Sequence, residues 1–318
     1  MKFIGMIKAS ALILLFLMSG LCYGQSAAMQ SLGEGVELGA QGKFKEAKEK
    51  FEKVLKIDPF NGTAKRALKV IEDVFDEKIK SETGIHIFKG ISYGKKGQSE
   101  ESVAELNKAI ELNPACAYAY NCRGITYYKK GQYDQAITDF IKAIEINPKC
   151  GYAYANRGTA NTVKGQYDQA IKDYNKAIEI DRRCIEAYYN RGITYYEKGQ
   201  YDQAIKDYNR AIEINPQYSK AYYCRGFTYY KNGKYYQAIS DYSKAISISP
   251  QYAEAYYYRG LVYEKIGQLE KAHADWKRAC ELGYCRGHYT AKAVYKTSDF
   301  SVEGGDDVWD EGLVKGEL

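Results

Sequence analysis

One period of 34 residues constrains this chain more than any other feature. Gly90, Gly124, Gly158, Gly192, Gly226 and Gly260 stand 34 residues apart, and so do Ala109, Ala143, Ala177, Ala211, Ala245 and Ala279. A third series runs through Ser102, Ala136, Ala170, Ala204, Ala238 and Ala272. Self-similarity at this spacing marks an array whose units touch only their neighbours. With Thr83 as position 1, the three series occupy positions 8, 27 and 20. The prolines give an independent check. Pro59, Pro114, Pro148, Pro216 and Pro250 all fall at position 32, and a residue without an N–H belongs between helices.

Each unit reads as two helices. In Ile185–Pro216 a first amphipathic stretch is broken by Gly199-Gln200, and the second carries Ala204, Tyr208, Ala211 and Ile212 at helical spacing. Asp202 in its first turn suits the positive end of the helix dipole. The small residues at positions 8, 20 and 27 let neighbouring rods approach closely. No single hairpin buries its apolar face, so stability has to come from stacking. The expected fold is all-α.

Tyr, Gly, Tyr, Ala, Tyr or Phe, Ala and Pro at positions 4, 8, 11, 20, 24, 27 and 32 resemble the tetratricopeptide repeat family. The resemblance implies an α-solenoid, a right-handed superhelix of antiparallel helix pairs. It covers six contiguous units over residues 83–286, divided as 83–116, 117–150, 151–184, 185–218, 219–252 and 253–286, and one N-terminal unit within residues 25–61 that is detached in sequence. Departures are few: His86 at position 4, Asn161 at position 11, Arg182 at position 32 and Trp276 at position 24. Residues 62–82, with Ala64, Leu68, Ile71, Val74, Phe75 and Ile79 on one stripe, predict a linking amphipathic helix.

Opposite charges recur at two positions of the same unit. Position 7 holds Arg123, Arg157, Arg191, Arg225 and Arg259, while position 23 holds Asp139, Asp173, Asp207, Asp241 and Asp275. The first contiguous unit has Lys89 and Glu105, and the N-terminal unit has Glu34 and Lys50 with the signs exchanged. An arginine ladder gripping acidic ligands would not tolerate that exchange, so the expected role is a structural ion pair inside each hairpin.

The ends differ from the array. Lys2 and Lys8 precede the apolar Ala11–Met18, and Cys22-Tyr-Gly24 offers a cut site, so residues 1–24 read as a secretory signal peptide, with an uncleaved anchor or a lipoprotein signal at Cys22 as the alternative. The expected location is periplasmic or secreted, with no integral membrane segment after removal of the signal. Residues 287–318 read as a capping segment, within which His288–Lys296 finishes a helix, and an acidic tail.

Nothing in the chain suggests a catalytic constellation, a cofactor or a metal site. His86, His273 and His288 lie at repeat or cap positions, and the Gly-Gln and Gly-Lys steps lack the spacing of a phosphate loop. The net charge of +6 is spread without a basic stripe, so no nucleic acid is expected. Cys116, Cys150 and Cys184 share position 34 as small corner fillers. Cys280 and Cys285 flank a helix end in a segment that resembles Sel1-like repeats, and that resemblance implies a disulfide clip.

The chain has 33 tyrosines against 10 phenylalanines and 2 tryptophans, which favours surfaces that are both apolar and hydrogen-bonding. The family resemblance implies that positions 2, 5, 6, 9, 12 and 13 of the first helices face a peptide groove. These hold Tyr118 and Tyr152 (position 2), Tyr189, Tyr223 and Tyr257 (position 5), Asn156 and Asn190 (position 6), and Tyr128, Tyr196 and Tyr230 (position 12). The rings at positions 5 and 12 are expected to be partly exposed. The function implied is a non-catalytic scaffold for a protein or peptide partner; a docking or regulatory subunit for an enzyme on another chain is the alternative.

Overall fold

The computed structural model describes residues 27–285, and every regular element within them is an α-helix. In chain order these are α1 (27–40), α2 (Phe44–Ile57), α3 (Gly62–Phe75), α4 (Ser81–Lys95), α5 (Ser99–Leu112), α6 (Ala117–Lys129), α7 (Tyr133–Ile146) and α8 (Gly151–Val163). There follow α9 (Tyr167–Ile180), α10 (Ile185–Glu197), α11 (Tyr201–Ile214), α12 (Ser219–Lys231), α13 (Tyr235–Ile248), α14 (Ala253–Lys265) and α15 (Leu269–Glu281). Consecutive helices pair as hairpins that stack, giving an α-solenoid. The signal segment 1–24 and the cap and tail of 287–318 lie outside the described residues. The chain divides between Ala153 and Tyr154 into two compact units, which are described separately.

The hairpin turn explains the Gly-Gln step. After α6, Gly131 takes φ 75°, its N–H bonds the Tyr128 carbonyl at 2.9 Å, and the Gln132 N–H reaches back to Tyr127 at 2.9 Å. A left-handed residue closing two such bonds terminates a helix, and glycine adopts it without a Cβ penalty. Between units an Asx turn does the corresponding work. Asn147 Oδ1 accepts from the Lys149 N–H at 3.1 Å. Where Arg182 replaces proline, Asp181 Oδ1 accepts from the Arg183 N–H at 2.8 Å and the turn survives.

Position 8 faces position 24 within each hairpin. A Cβ built on Gly192 would lie 2.7 Å from the Tyr208 ring, and one on Gly124 would lie 2.6 Å from Phe140. Glycine therefore lets a large ring pack flat on the first helix, where it is fully buried.

In the first unit the N-terminal hairpin, detached from the array in sequence, packs against it in space. Val36, Phe44 and Phe51 of α1 and α2 share one buried cluster with Val70, Ile71 and Val74 of α3 and with Ile87 and Phe88 of α4. Gly39 approaches the Phe88 ring, and Glu37 of α1 accepts from Ser92 Oγ at 2.7 Å and pairs with Lys96 at 2.8 Å. The linking segment is shorter than its expected span of 62–82: α3 starts under an Asn61 cap, whose Oδ1 accepts from the Ala64 N–H at 2.9 Å, and ends at Phe75.

The second unit ends on a covalent clip, with the Cys280 and Cys285 sulfurs bonded across the end of α15. Among the described residues no helix is long and apolar enough to cross a membrane.

Candidate functional site

The arginines of position 7 are structural nodes. Arg123, Arg157, Arg191, Arg225 and Arg259 each give a bidentate pair to the Asp of their own hairpin, with Nε–Oδ2 at 2.7–3.0 Å and Nη2–Oδ1 at 2.6–2.7 Å. The guanidinium lies 5.4–5.6 Å from the ring of position 4, namely Tyr120, Tyr154, Tyr188, Tyr222 and Tyr256. A third contact leaves the hairpin. Nη1 of Arg123, Arg191, Arg225 and Arg259 donates to Asn107, Asn175, Asn209 and Ser243, which sit at position 25 of the preceding repeat. Asn recurs at position 25 in the sequence, but its role shows only with the arginine of the next repeat lying over that helix.

Two other charge positions behave differently. Glu34 and Lys50 are bridged despite their exchanged signs. No ion pair joins Lys89 to Glu105, however, because His86 Nδ1 and Lys108 Nζ take the Glu105 carboxylate at 2.7 and 2.8 Å. His86 stands where other repeats carry the tyrosine that shelves the cation. Burial opposes ionisation of Glu105, but the hydrogen bonds from Lys108 and His86 hold its carboxyl below the ordinary value. Asn161, at another departure, donates to Asp173 Oδ2 at 3.1 Å.

The tyrosines expected at an open groove are mostly buried, which corrects the sequence expectation. Tyr189 is 5% exposed and Tyr223 3%, and Tyr128, Tyr196, Tyr257 and Asn156 are buried as well. The position-5 ring is wedged under the corner residue of its own unit: Tyr189 meets Tyr218 at 5.2 Å between centroids, and Tyr223 meets Tyr252 at 5.0 Å. The position-12 ring packs on position 17, as in Tyr128–Tyr133 (5.4 Å), Tyr196–Tyr201 (5.3 Å) and Tyr230–Tyr235 (6.2 Å). Tyr230 and Asn190 are half-buried, and Asn190 Nδ2 donates to Thr159 Oγ1 at 3.3 Å. The rings of Tyr128, Tyr189, Tyr196, Tyr223 and Tyr257 are thus taken up by packing inside the stack.

Tyr118 and Tyr152 belong elsewhere. In the first unit a groove open to solvent runs between α3, α4 and α6. Tyr118, Cys122, Ile125 and Lys129 line it from one face of α6, and Ile91, Gly94 and Lys95 from α4. Arg66, Ala67 and Val70 of α3 form the opposite wall. The groove stays open because Gly94 holds position 12, where later repeats place Tyr128, Thr162, Tyr196, Tyr230 and Glu264. Ser102, in place of alanine at position 20, donates to the Gly90 carbonyl at 2.8 Å and lies 3.0 Å from Thr126 Oγ1, so the polar atoms of the floor are satisfied.

Three cations meet at this groove. The Arg66 guanidinium lies 5.0 Å from the Tyr152 ring. Burial and the neighbouring Lys129 charge push the Lys95 ammonium below its usual value, and burial with the Arg66 charge does the same to Lys129. The thiol of Cys122 is pushed up to about 12 by burial against the pull of Arg66. It is therefore an apolar wall rather than a nucleophile at neutral pH. Among the described residues no group of three His, Cys, Asp or Glu side chains is placed to hold a metal ion.

Tetratricopeptide repeat profiles match residues 34–61, 117–150 and 253–283, and a further profile of the same repeat matches 90–131, 162–199, 194–233 and 229–267. No curated protein sequence matches the chain. Among solved structures, PilF of Pseudomonas aeruginosa is 17% identical with a TM-score of 0.57, over 63% of this chain and 91% of that one. PilW, a type IV pilus biogenesis factor, is 19% identical with a TM-score of 0.58, over 62% and 91%. MamA is 32% identical over 50% of this chain and 94% of its own, with a TM-score of 0.47. With the repeat matched along most of its described length and the hairpins stacked as that repeat requires, this chain is a member of the tetratricopeptide repeat family.

Proposed function

We propose that this chain is an exported, non-catalytic scaffold that holds a segment of a protein partner in the groove between α3, α4 and α6. The observation that carries this reading is the glycine at position 12 of α4. Three other repeats place Tyr128, Tyr196 and Tyr230 there, packed on position 17, whereas here the first-helix face remains concave and largely apolar, with the hydroxyls of its floor already hydrogen-bonded. Such a shape is suited to an extended segment. The family to which the chain belongs supports protein binding over chemistry. No nucleophile–base pair lines the groove.

Export rests on the positive, then apolar, start of the sequence and is supported by the Cys280–Cys285 bond, which persists in an oxidising compartment. Periplasm or cell envelope is the location proposed.

Gly94→Tyr tests the site by restoring the side chain that other repeats carry. In affinity capture followed by mass spectrometry, the variant is expected to recover its partner at least about tenfold less well than wild type, with an unchanged far-UV spectrum. Undiminished recovery by a folded variant would place binding elsewhere.

A further inference from the structure

We infer that this groove selects a protein segment in which a carboxylate side chain stands beside an aliphatic one, held by Arg66, Lys95 and Lys129. The inference rests on the groove being the binding site and adds the chemistry of its occupant.

Charge complementarity carries the argument. Among the described residues no carboxylate lies within ion-pair distance of Arg66, Lys95 or Lys129. One residue further along, at position 14, Lys130 pairs with Glu100 at 2.7 Å and Lys198 with Asp168 at 2.5 Å. Like charges gathered at one rim repel each other, and a carboxylate placed among them relieves all three at once. The rim sits above Val70, Ile91, Leu106 and Ile125. Low-dielectric walls concentrate the field of the cations over an apolar floor. An aliphatic side chain fits that floor, and an adjacent carboxylate meets the rim.

The convergence with a third cation is local. Position 13 reads Lys95, Lys129, Val163, Glu197, Lys231 and Lys265, so lysine recurs there, but among these only Lys95 and Lys129 line this groove. The third cation comes from α3, which belongs to no hairpin. Arg66 is also the oriented member. The Tyr152 ring covers one side of its guanidinium and Thr63 Oγ1 accepts from Nη2 at 3.4 Å, so its planar fork is partly fixed before a carboxylate arrives.

The test uses the full chain and three fluorescein-labelled, C-terminally amidated decapeptides that alternate leucine with glutamate, glutamine or lysine. In anisotropy titrations the glutamate peptide is expected to bind at least about tenfold more tightly than the glutamine peptide, and to weaken steeply as salt is raised. Lys95→Gln combined with Lys129→Gln should erase that preference, read as the ratio of the two affinities in the same variant. By accessible surface both lysines are exposed although the groove walls partly desolvate their ammonium groups, and an unchanged far-UV spectrum checks that the double variant is folded. Gly94→Tyr should abolish both peptides. Equal affinity for the glutamate and glutamine peptides in wild type, with loss of both in Gly94→Tyr, would overturn the inference and leave the groove reading standing. Peptide binding indifferent to Gly94→Tyr, or no measurable binding of the glutamate peptide, would overturn the inference, and the first of these would also remove the groove.

Discussion

Arg191→Leu should cost about 3–5 kcal/mol of stability, and the same change combined with Asp207→Leu should cost less. Asp207 is 5% exposed, and its carboxylate is matched by two hydrogen bonds from Arg191. Burial pushes the Asp207 carboxyl up against the opposing pull of that guanidinium. Removing the arginine alone leaves a buried charge without its counterion, the costly half of a broken pair. Removing both leaves two apolar side chains of similar size, at a residual cost of about 1–2 kcal/mol for the Asn175 contact and the ring stacking on Tyr188.

The sign of the pH effect follows. A buried carboxyl raised above its unfolded value binds a proton in the native state that the unfolded chain does not yet hold. The deficit of the single variant should therefore narrow as pH falls toward the carboxylate range. Urea denaturation of the wild type, both singles and the double closes the cycle. Equal losses in the single and double variants would show that the pair is not coupled.

The second large effect is at position 24, where the buried ring rests on the glycine of the facing helix. Tyr208→Ala should cost about 3–5 kcal/mol, since the ring is almost wholly enclosed and its neighbours are held by the same repeat geometry. Tyrosine-to-phenylalanine changes separate ring from hydroxyl. The Tyr174 hydroxyl donates to Thr159 Oγ1 at 3.2 Å and lies 3.3 Å from Thr162 Oγ1, so Tyr174→Phe should cost about 1 kcal/mol. The Tyr242 hydroxyl is buried without a hydrogen-bond partner, so Tyr242→Phe should cost nothing or stabilise. Thermal midpoints of the three variants check the series. A larger loss in Tyr242→Phe than in Tyr174→Phe would contradict it.

The array was legible because its determinants are local and repeated. Six glycines, six alanines and the prolines at position 32 define hairpins with little help from the rest of the chain. The Arg–Asp relation was legible for the same reason, since both residues recur within one hairpin. The position-25 asparagine was not, because its partner belongs to the neighbouring repeat.

The site was misread where family geometry replaced packing. A helical wheel leaves Tyr189 and Tyr223 free, but the corner residues Tyr218 and Tyr252 cover them. The open groove depends on what is missing from Gly94 and on Arg66, which lies on a helix outside the period. Its three cations come from three elements, so no window of sequence shows them as a cluster.

The central claim is that the groove beside Gly94 is where a partner is held, and crosslinking tests it most directly. A photoreactive residue is placed at Ile125, inside the groove, and in a second protein at Tyr236, which is 75% exposed on α13 and does not line the groove. Irradiation of cells producing each full chain, followed by mass spectrometry, reads the contacts. A discrete protein adduct at position 125, absent at 236 and lost when Gly94→Tyr is added, is the result this account predicts. Adducts of equal yield at both positions, or an adduct at 125 that survives Gly94→Tyr, would contradict it.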